Sequence, residues 1–446
     1  MTSLLRVLIV AISRINAADT ANNALLLRNL LSTWPKENLA QIYSGGSNGD
    51  QGFFGHQYQL TADDRRLGKF FVKLKKEQVS DLRSSFADNQ ITSTSGASLL
   101  SRVKSTVGSF IQDSGLYELI FKVKPSEQLF DWVREFDPDI ILAQGYNLSF
   151  TWLPLMLKRE LNKPLAFYNS DDWPTYLYSS RKGLYAITAP FVRSIVARST
   201  NDLIASVDVP FAFNDMMGEE YERRYGKTFT TLMHCDDPER FIRAESIRLQ
   251  PPEVKSIIAT GAFDDSRWPL LLDLEQACQR LNDMGIPTRA TVLATRISEE
   301  GFRMVKSCRF VKLQDDPGHE MLPSYLKGAD LLYLPETFDP EVAHGYKYSI
   351  STKAHLFMFS QKPILVYGHR ACGLVQYADR YGWAYVVKER DSGILAAQFG
   401  SLLTDNEIRK DLIRKSSLVA NLNNNSEVVR KVFCEKLLSV YSGPQF

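Results

Sequence analysis

Short runs of apolar residues alternate with longer stretches of helical periodicity along most of the chain, which predicts β-strands separated by helices. In the first half the strand runs are Arg6 to Ile12, Leu39 to Tyr43, Ile140 to Ala143, Leu165 to Tyr168 and Leu203 to Ser206. Helical spacing covers Asn22 to Leu31 and Glu127 to Phe136. The second half restarts the pattern with strand runs at Ser256 to Thr260, Thr288 to Ala294, Phe310 to Leu313, Leu331 to Leu334, Pro363 to Tyr367 and Ala384 to Val387. Helices are predicted there over Arg267 to Met284, Met321 to Gly328 and Lys353 to Phe359. Runs that are apolar throughout suit strands covered on both faces, so the fold class is α/β with parallel sheets.

The charged stretch Asp236 to Glu253, with Pro238, Pro251 and Pro252, separates the two halves and reads as a linker. The parse is a first Rossmann-like domain over 1–240, a second over 254–425, and a C-terminal helix over 426–446 crossing back to the first. The chain turns helical after Asp391, with a break at the polar cluster Asn421 to Asn425. At roughly 150 residues per domain, 446 residues also suggest two or three domains.

Composition narrows the function classes. With 44% hydrophobic and 23% charged residues this is an ordinary folded chain, and 53 basic against 51 acidic residues argue against a polyanion-wrapping protein. Cys235, Cys278, Cys308, Cys372 and Cys434 are widely spaced without a C-x-x-C pair, so a reduced chain is expected and a cysteine-based zinc site is not. Arg6 and the apolar run after it are too short for a convincing signal peptide, and no run reaches the length of a spanning helix.

In open α/β sheets ligands sit beyond the carboxyl ends of the strands, so the residues after each strand hold the candidate chemistry. After the first strand come Ser13, Asn16 and Asp19, leading into a helix, where they serve either as hydroxyl and anion contacts or as a simple N-cap. Tyr146 follows the Ile140 run, and Asp171 and Asp172 follow the Leu165 run beside Trp173, suited to a general base or to sugar hydroxyls. In the second half Gly261 allows close backbone approach and Arg267 offers a phosphate clamp. Glu336 follows the Leu331 run, Lys353 opens a helix behind Ser349, Ser351 and Thr352, and Gly368 and His369 follow the Pro363 run. A lysine at a helix start favours a diphosphate, although exposed helix lysines are commoner. Candidate loops from both halves converge on a cleft between two domains, with the cations and glycines concentrated on the C-terminal side. No P-loop or G-x-G-x-x-G is present, and Asp137-Pro138-Asp139 precedes a strand, at the wrong end of a sheet for a metal site.

The segment Ser349 to Gly368 (SISTKAHLFMFSQKPILVYG) resembles the PSK-x-x-EY-x-A-x-G-K-P-I-L stretch of bacterial family-four-like glycosyltransferases of the GT-B fold. Asp330 to Pro335 is similar to that family's AD-x-x-x-x-P strand, and Asn214 to Gly226 to its SD-x-M-x-x-x-Y-x-x-x-YG helix. The run through Leu27 to Leu30 and the Asp171-Asp172-Trp173 turn are similar to surface-polysaccharide glycosyltransferases. The resemblance implies two Rossmann-like domains facing across a cleft, and a sugar moved from a UDP- or GDP-sugar to a glycan or lipid-linked acceptor with retention and without a metal. It implies that Lys353 and Arg267 hold the diphosphate, that Gly261, Gly368 and His369 flank the nucleotide, and that Asp171 or Asp172 serves as base or hydroxyl anchor. Ser13, Asn16, Asp19 and Tyr146 would face the acceptor.

The chain departs from the pattern where nucleotide recognition is concerned. The family's ribose-binding glutamate falls on Leu356, its small glycine on Gln361, and its earlier acidic partner on Tyr348. Glu336, Asp339 or Glu341 would have to substitute. A non-catalytic binding or partner subunit and a nucleotide-sugar 2-epimerase are the rival readings. The six basic residues between Arg65 and Lys76 and the acid-free stretch Trp173 to Asn201 offer contact with an anionic membrane face, or are simply solvated basic surface. Nucleic acid is not expected as a partner. The expected location is the cytoplasm, with the inner membrane face as a further possibility.

Overall fold

The computed structural model describes residues 5–16, 22–45, 52–65, 119, 122–176 and 185–441. Its strands in chain order are β1 (Val7–Val10), β2 (Leu39–Tyr43), β3 (His56–Gln59), β4 (Ile140–Ala143), β5 (Leu165–Asn169), β6 (Val209–Ala212) and β7 (Thr230–Thr231) in the first sheet. The second sheet holds β8 (Lys255–Phe263), β9 (Thr288–Ile297), β10 (Val311–Asp315), β11 (Leu331–Pro335), β12 (Ile364–Tyr367) and β13 (Tyr385–Val387). The strand orders are β3-β2-β1-β4-β5-β6-β7 and β10-β9-β8-β11-β12-β13, and every pairing is parallel. The α/β expectation with two parallel sheets is therefore met.

The central strands are apolar end to end because helices cover both faces; every residue of β1, β4, β5 and β12 is buried. In each sheet the order reverses beside the central strand, between β1 and β4 and between β8 and β11. Those two switch points are where an open parallel sheet leaves a crevice for a ligand.

The expected strand at Leu203 to Ser206 is instead the end of a 22-residue helix, Tyr185–Ser206, and the strand is β6, three residues later. Leu203 and Ile204 are buried and Ala205 is exposed, and a run of only three apolar residues could not distinguish the two states. Two lysines finish that helix. Lys227 Nζ donates to the carbonyls of Ile204 at 2.9 Å and Ala205 at 3.2 Å, and Lys158 Nζ donates to that of Ser206 at 2.7 Å.

The stretch Asp236 to Glu253 is packed rather than loose. Asp237 caps a short helix, Pro238–Arg243, whose Phe241 is buried and whose Arg240 pairs with Asp236 at 2.6 Å. The last helix, Ser426–Leu438, lies against the first, Asn22–Leu31: Phe433 meets Trp34 edge-on at 6.0 Å, and Arg430 Nη1 donates to Ser32 Oγ at 2.8 Å. Among the described residues no helix is long and apolar enough to cross a membrane.

Candidate active site

At the second switch point, β8 breaks register between Gly261 and Ala262, and Gly261 takes φ +135°, a conformation open to glycine alone among common residues. A Cβ on Gly261 would lie 3.8 Å from Lys353 Cε, so the bare backbone sits directly beside the lysine stem. The chain then turns at Asp264, whose carboxylate accepts from the backbone N–H of Ser266 at 3.1 Å and from its hydroxyl at 2.6 Å. This turn aims Arg267 across the crevice at the end of β11. There Arg267 Nη2 meets Glu336 Oε2 at 3.0 Å and Oε1 at 3.3 Å, and its guanidinium lies 5.0 Å from the centre of the Tyr346 ring.

Electrostatics distinguish the two cations. Burial works against the charge on Arg267, but Glu336 above all outweighs that and holds its pKa above the ordinary value. Glu336 is only 5% exposed, and burial pushes its carboxyl up while Arg267 pulls it back. Lys353 has no carboxylate within ion-pair distance among the described residues, and burial lowers its pKa, partly offset by Asp316. Lys353 is the N-cap residue of the short helix Ala354–Phe359 rather than a member of its first turn. Behind it, His234 and His355 stack at 6.2 Å across the junction between the two sheets' domains. Burial, followed by neighbouring charges that include Lys353, drives each imidazole down to about 3, so both are neutral.

Two expected roles change. Both oxygens of Glu336 are engaged by Arg267, so its first partner is that guanidinium rather than a ribose, and Leu356 is buried and apolar. Gly368 lies against Glu336: a Cβ there would come within 2.7 Å of Glu336 Cβ. His369 is turned into its own loop, its N–H bonding Thr337 O at 3.0 Å and its Nδ1 accepting from the N–H of Ala371 at 3.2 Å.

On the opposite wall, the two aspartates after β5 separate. Asp172 is buried and accepts from Tyr221 Oη at 2.8 Å, Arg224 Nη1 at 2.9 Å and Arg224 Nη2 at 3.0 Å. Buried, and with three of its acceptor positions taken by Tyr221 and Arg224, Asp172 is placed as a structural anchor rather than as a base open to the cleft. Asp171 is half-buried at the cleft and accepts from the Ser349 hydroxyl of the second domain at 3.0 Å. Tyr146, half-buried, contacts the Ser170 hydroxyl. Ser13 is exposed at the end of β1, its carbonyl accepting from Gln41 Nε2 at 2.8 Å, and Asn16 is buried close by in sequence. Asp19 lies outside the described residues, as do 66–76 and 177–184 of the two basic stretches.

The structure thus gathers Gly261, Arg267, Glu336, Lys353 and Gly368 on one wall, and sets Asp171 on the other. Tyr346, which the sequence does not single out, joins the wall stacked on Arg267, while Ser349 meets Asp171 and Asn214 Nδ2 donates to Tyr348 O at 2.7 Å, pairings that the sequence does not show. Among the described residues no three His, Cys, Asp or Glu side chains converge to hold a metal ion.

Neither a family model nor a curated protein sequence matches the chain. Solved structures do. Anabaena HepE, in complex with UDP and glucose, superposes with a TM-score of 0.57 over 98% of this chain and 100% of its own, at 10% identity. A trehalose-6-phosphate structure from E. coli bound with UDP-2-fluoro glucose gives 0.58 over 97% and 98%, at 14% identity. The UDP-forming α,α-trehalose-phosphate synthase of Burkholderia vietnamiensis gives 0.59 over 98% of each chain, at 13% identity. The fold is GT-B. In a GT-B chain the two switch points face one another across the interdomain cleft, and here that cleft receives Arg267 and Lys353 from one side and Asp171 from the other.

Proposed function

We propose that this protein is a glycosyltransferase that moves a sugar from a UDP- or GDP-sugar to a glycan or lipid-linked acceptor. The observation that carries the reading is the pairing of a bare glycine at the β8 bulge, Gly261, with a half-buried lysine that has no carboxylate within ion-pair distance among the described residues, Lys353, beside the fixed guanidinium of Arg267. Such an arrangement is suited to a diphosphate: the backbone admits the nucleotide, and the two cations face the charge that develops as the sugar–phosphate bond breaks. Solved GT-B structures holding UDP and UDP-sugars lend support to the donor class.

In this mechanism Lys353 and Arg267 stabilise the departing nucleoside diphosphate, and no metal is required for that charge. Asp171, on the facing wall, orients the acceptor hydroxyl and takes its proton, with Ser13, Asn16 and Tyr146 lining the approach. Retention at the anomeric carbon, a place in surface polysaccharide synthesis, cytoplasmic location and contact with the inner membrane face through the basic stretches complete the proposal.

The test is a thermal-shift panel with UDP, GDP, CMP and common nucleotide sugars. A ligand present at a hundred times its Kd stabilises the native state by about 2.7 kcal/mol, enough to read directly. A shift with UDP or GDP supports the donor site and names its base. Absence of any shift in folded protein overturns it in favour of a binding subunit, the reading that Leu356, in place of a ribose-binding glutamate, favours. Sugar product formed from donor alone, without acceptor, would point instead to a 2-epimerase.

A further inference from the structure

We infer that Glu336 is a positioning residue and standing counter-charge for Arg267, set to weaken the hold on the nucleoside diphosphate while fixing the guanidinium in place. The inference rests on the donor reading above and deepens it.

Three contacts immobilise Arg267. Glu336 takes Nη2 with both oxygens, at 3.0 and 3.3 Å; Tyr346 covers the guanidinium face at 5.0 Å; and Asp264 Oδ2 lies 3.7 Å from Nη1. The carboxylate is itself fixed. The Glu336 N–H bonds Tyr367 O at 2.7 Å, and the neighbouring loop leaves room for it only because residue 368 is glycine, where a Cβ would stand 2.7 Å from Glu336 Cβ and 3.2 Å from its carbonyl oxygen. No comparable carboxylate pairs with Lys353 among the described residues. Of the two cations at the donor site, one is therefore matched by a buried anion and the other is not.

The consequence for a diphosphate follows from Coulomb's law. Attraction to Arg267 is opposed by repulsion from Glu336 a few ångströms behind it, and at an effective dielectric near 20 such a charge changes affinity by roughly tenfold. Uniform affinity for donor and product does not speed a reaction, and a tightly held product slows it. Glu336 reduces that uniform part. The fixed guanidinium keeps its value for the leaving-group charge, which depends on preorganisation.

The experiment uses the full chain, with UDP and GDP binding measured by calorimetry and donor turnover followed as UDP released from UDP-glucose. With water as acceptor, the sugar C1–O bond to phosphate breaks, water oxygen bonds C1, and UDP and a proton leave. Glu336→Gln, which removes the charge, is expected to bind UDP about tenfold more tightly than wild type and to turn over more slowly. Glu336→Asp, which keeps the charge but shortens its reach, is expected to retain wild-type affinity within about twofold and also to lose turnover. A purely structural role would weaken binding in both variants alike. Equal or weaker UDP binding by folded Glu336→Gln overturns the inference. If that variant does not fold, Glu336→Asp decides: lost turnover at unchanged affinity supports it, and unchanged turnover overturns it. Wild-type protein that binds neither UDP nor GDP would refute the donor reading itself, a separate result.

Discussion

Replacing Asp171 and Asp172 one at a time separates a site residue from a structural one at adjacent positions. Asp172 is 6% exposed and holds three hydrogen bonds, two from Arg224 and one from Tyr221. Removing one partner of a buried ion pair costs about 3–5 kcal/mol when the other is left stranded. The stranding here is partial, because the Arg224 side chain is 22% exposed and also pairs with Glu220 at 2.6 Å. Tyr221 likewise keeps Asn169, whose Nδ2 donates to its hydroxyl at 2.5 Å. The net expectation for Asp172→Ala is about 2–3 kcal/mol of lost stability. Asp171→Ala gives up the half-exposed bond to Ser349 at the cleft and should cost less stability than Asp172→Ala. Urea unfolding followed by far-UV circular dichroism measures both, alongside donor turnover with and without acceptor. Asp171→Ala is expected to unfold near the wild-type midpoint and to lose transfer to acceptor. An Asp172→Ala protein of wild-type stability that is nonetheless inactive would refute the assignment of Asp172 as an anchor.

Gly261→Ala should lower stability by about 1–3 kcal/mol because φ +135° is strained for any side chain, and should also abolish nucleotide-dependent thermal shift; unchanged binding would remove Gly261 from the donor site. Arg267→Ala is expected to lower the melting temperature as well as activity, since it leaves Glu336 buried without its cation; Arg267→Ala/Glu336→Gln should recover part of the melting temperature but not the activity, checked by calorimetry. Burial lowers the pKa of Lys353 in the free protein, so binding an anion raises it again and takes up a proton. Nucleoside diphosphate affinity should accordingly fall as pH rises from neutrality toward the ordinary lysine value of 10.5, and Lys353→Arg should flatten that fall, as measured by titration calorimetry across the range.

The fold was legible where burial makes a strand apolar on both faces. β2 and β4 match their expected limits, and the strands of the second sheet match to within a few residues, because their interiors face helices on each side. The edge strands of the first sheet carry no such signal, whereas β10 and β13, at the edges of the second, are apolar enough in sequence to be recognised. β3 reads His-Gln-Tyr-Gln with only Tyr58 buried, and β7 is two threonines, so neither rises above the polar background. The opposite error at Leu203 to Ser206 has the same root: three apolar residues report burial without reporting period, and the carbonyl caps from Lys158 and Lys227 that end the helix come from 48 and 23 residues away.

At the site, residue types were legible and pairings were not. A glycine and an arginine following an apolar strand run, or a lysine opening a helix behind hydroxyl residues, announce themselves locally, which is how Gly261, Arg267 and Lys353 become candidates from sequence. What each cation does depends on partners brought by topology: Glu336 lies 69 residues from Arg267, Arg224 lies 52 from Asp172, and Ser349 lies 178 from Asp171. Two neighbouring aspartates look equivalent along the chain, yet one faces the helix Asp215–Tyr225 and is consumed by it, and the other faces the cleft. The same logic separates Arg267 from Lys353. Both are half-buried cations beside one crevice, but among the described residues only Arg267 meets a carboxylate there, so under the proposed donor reading the binding energy for an incoming diphosphate comes chiefly from Lys353, while Arg267 contributes a charge already held in position.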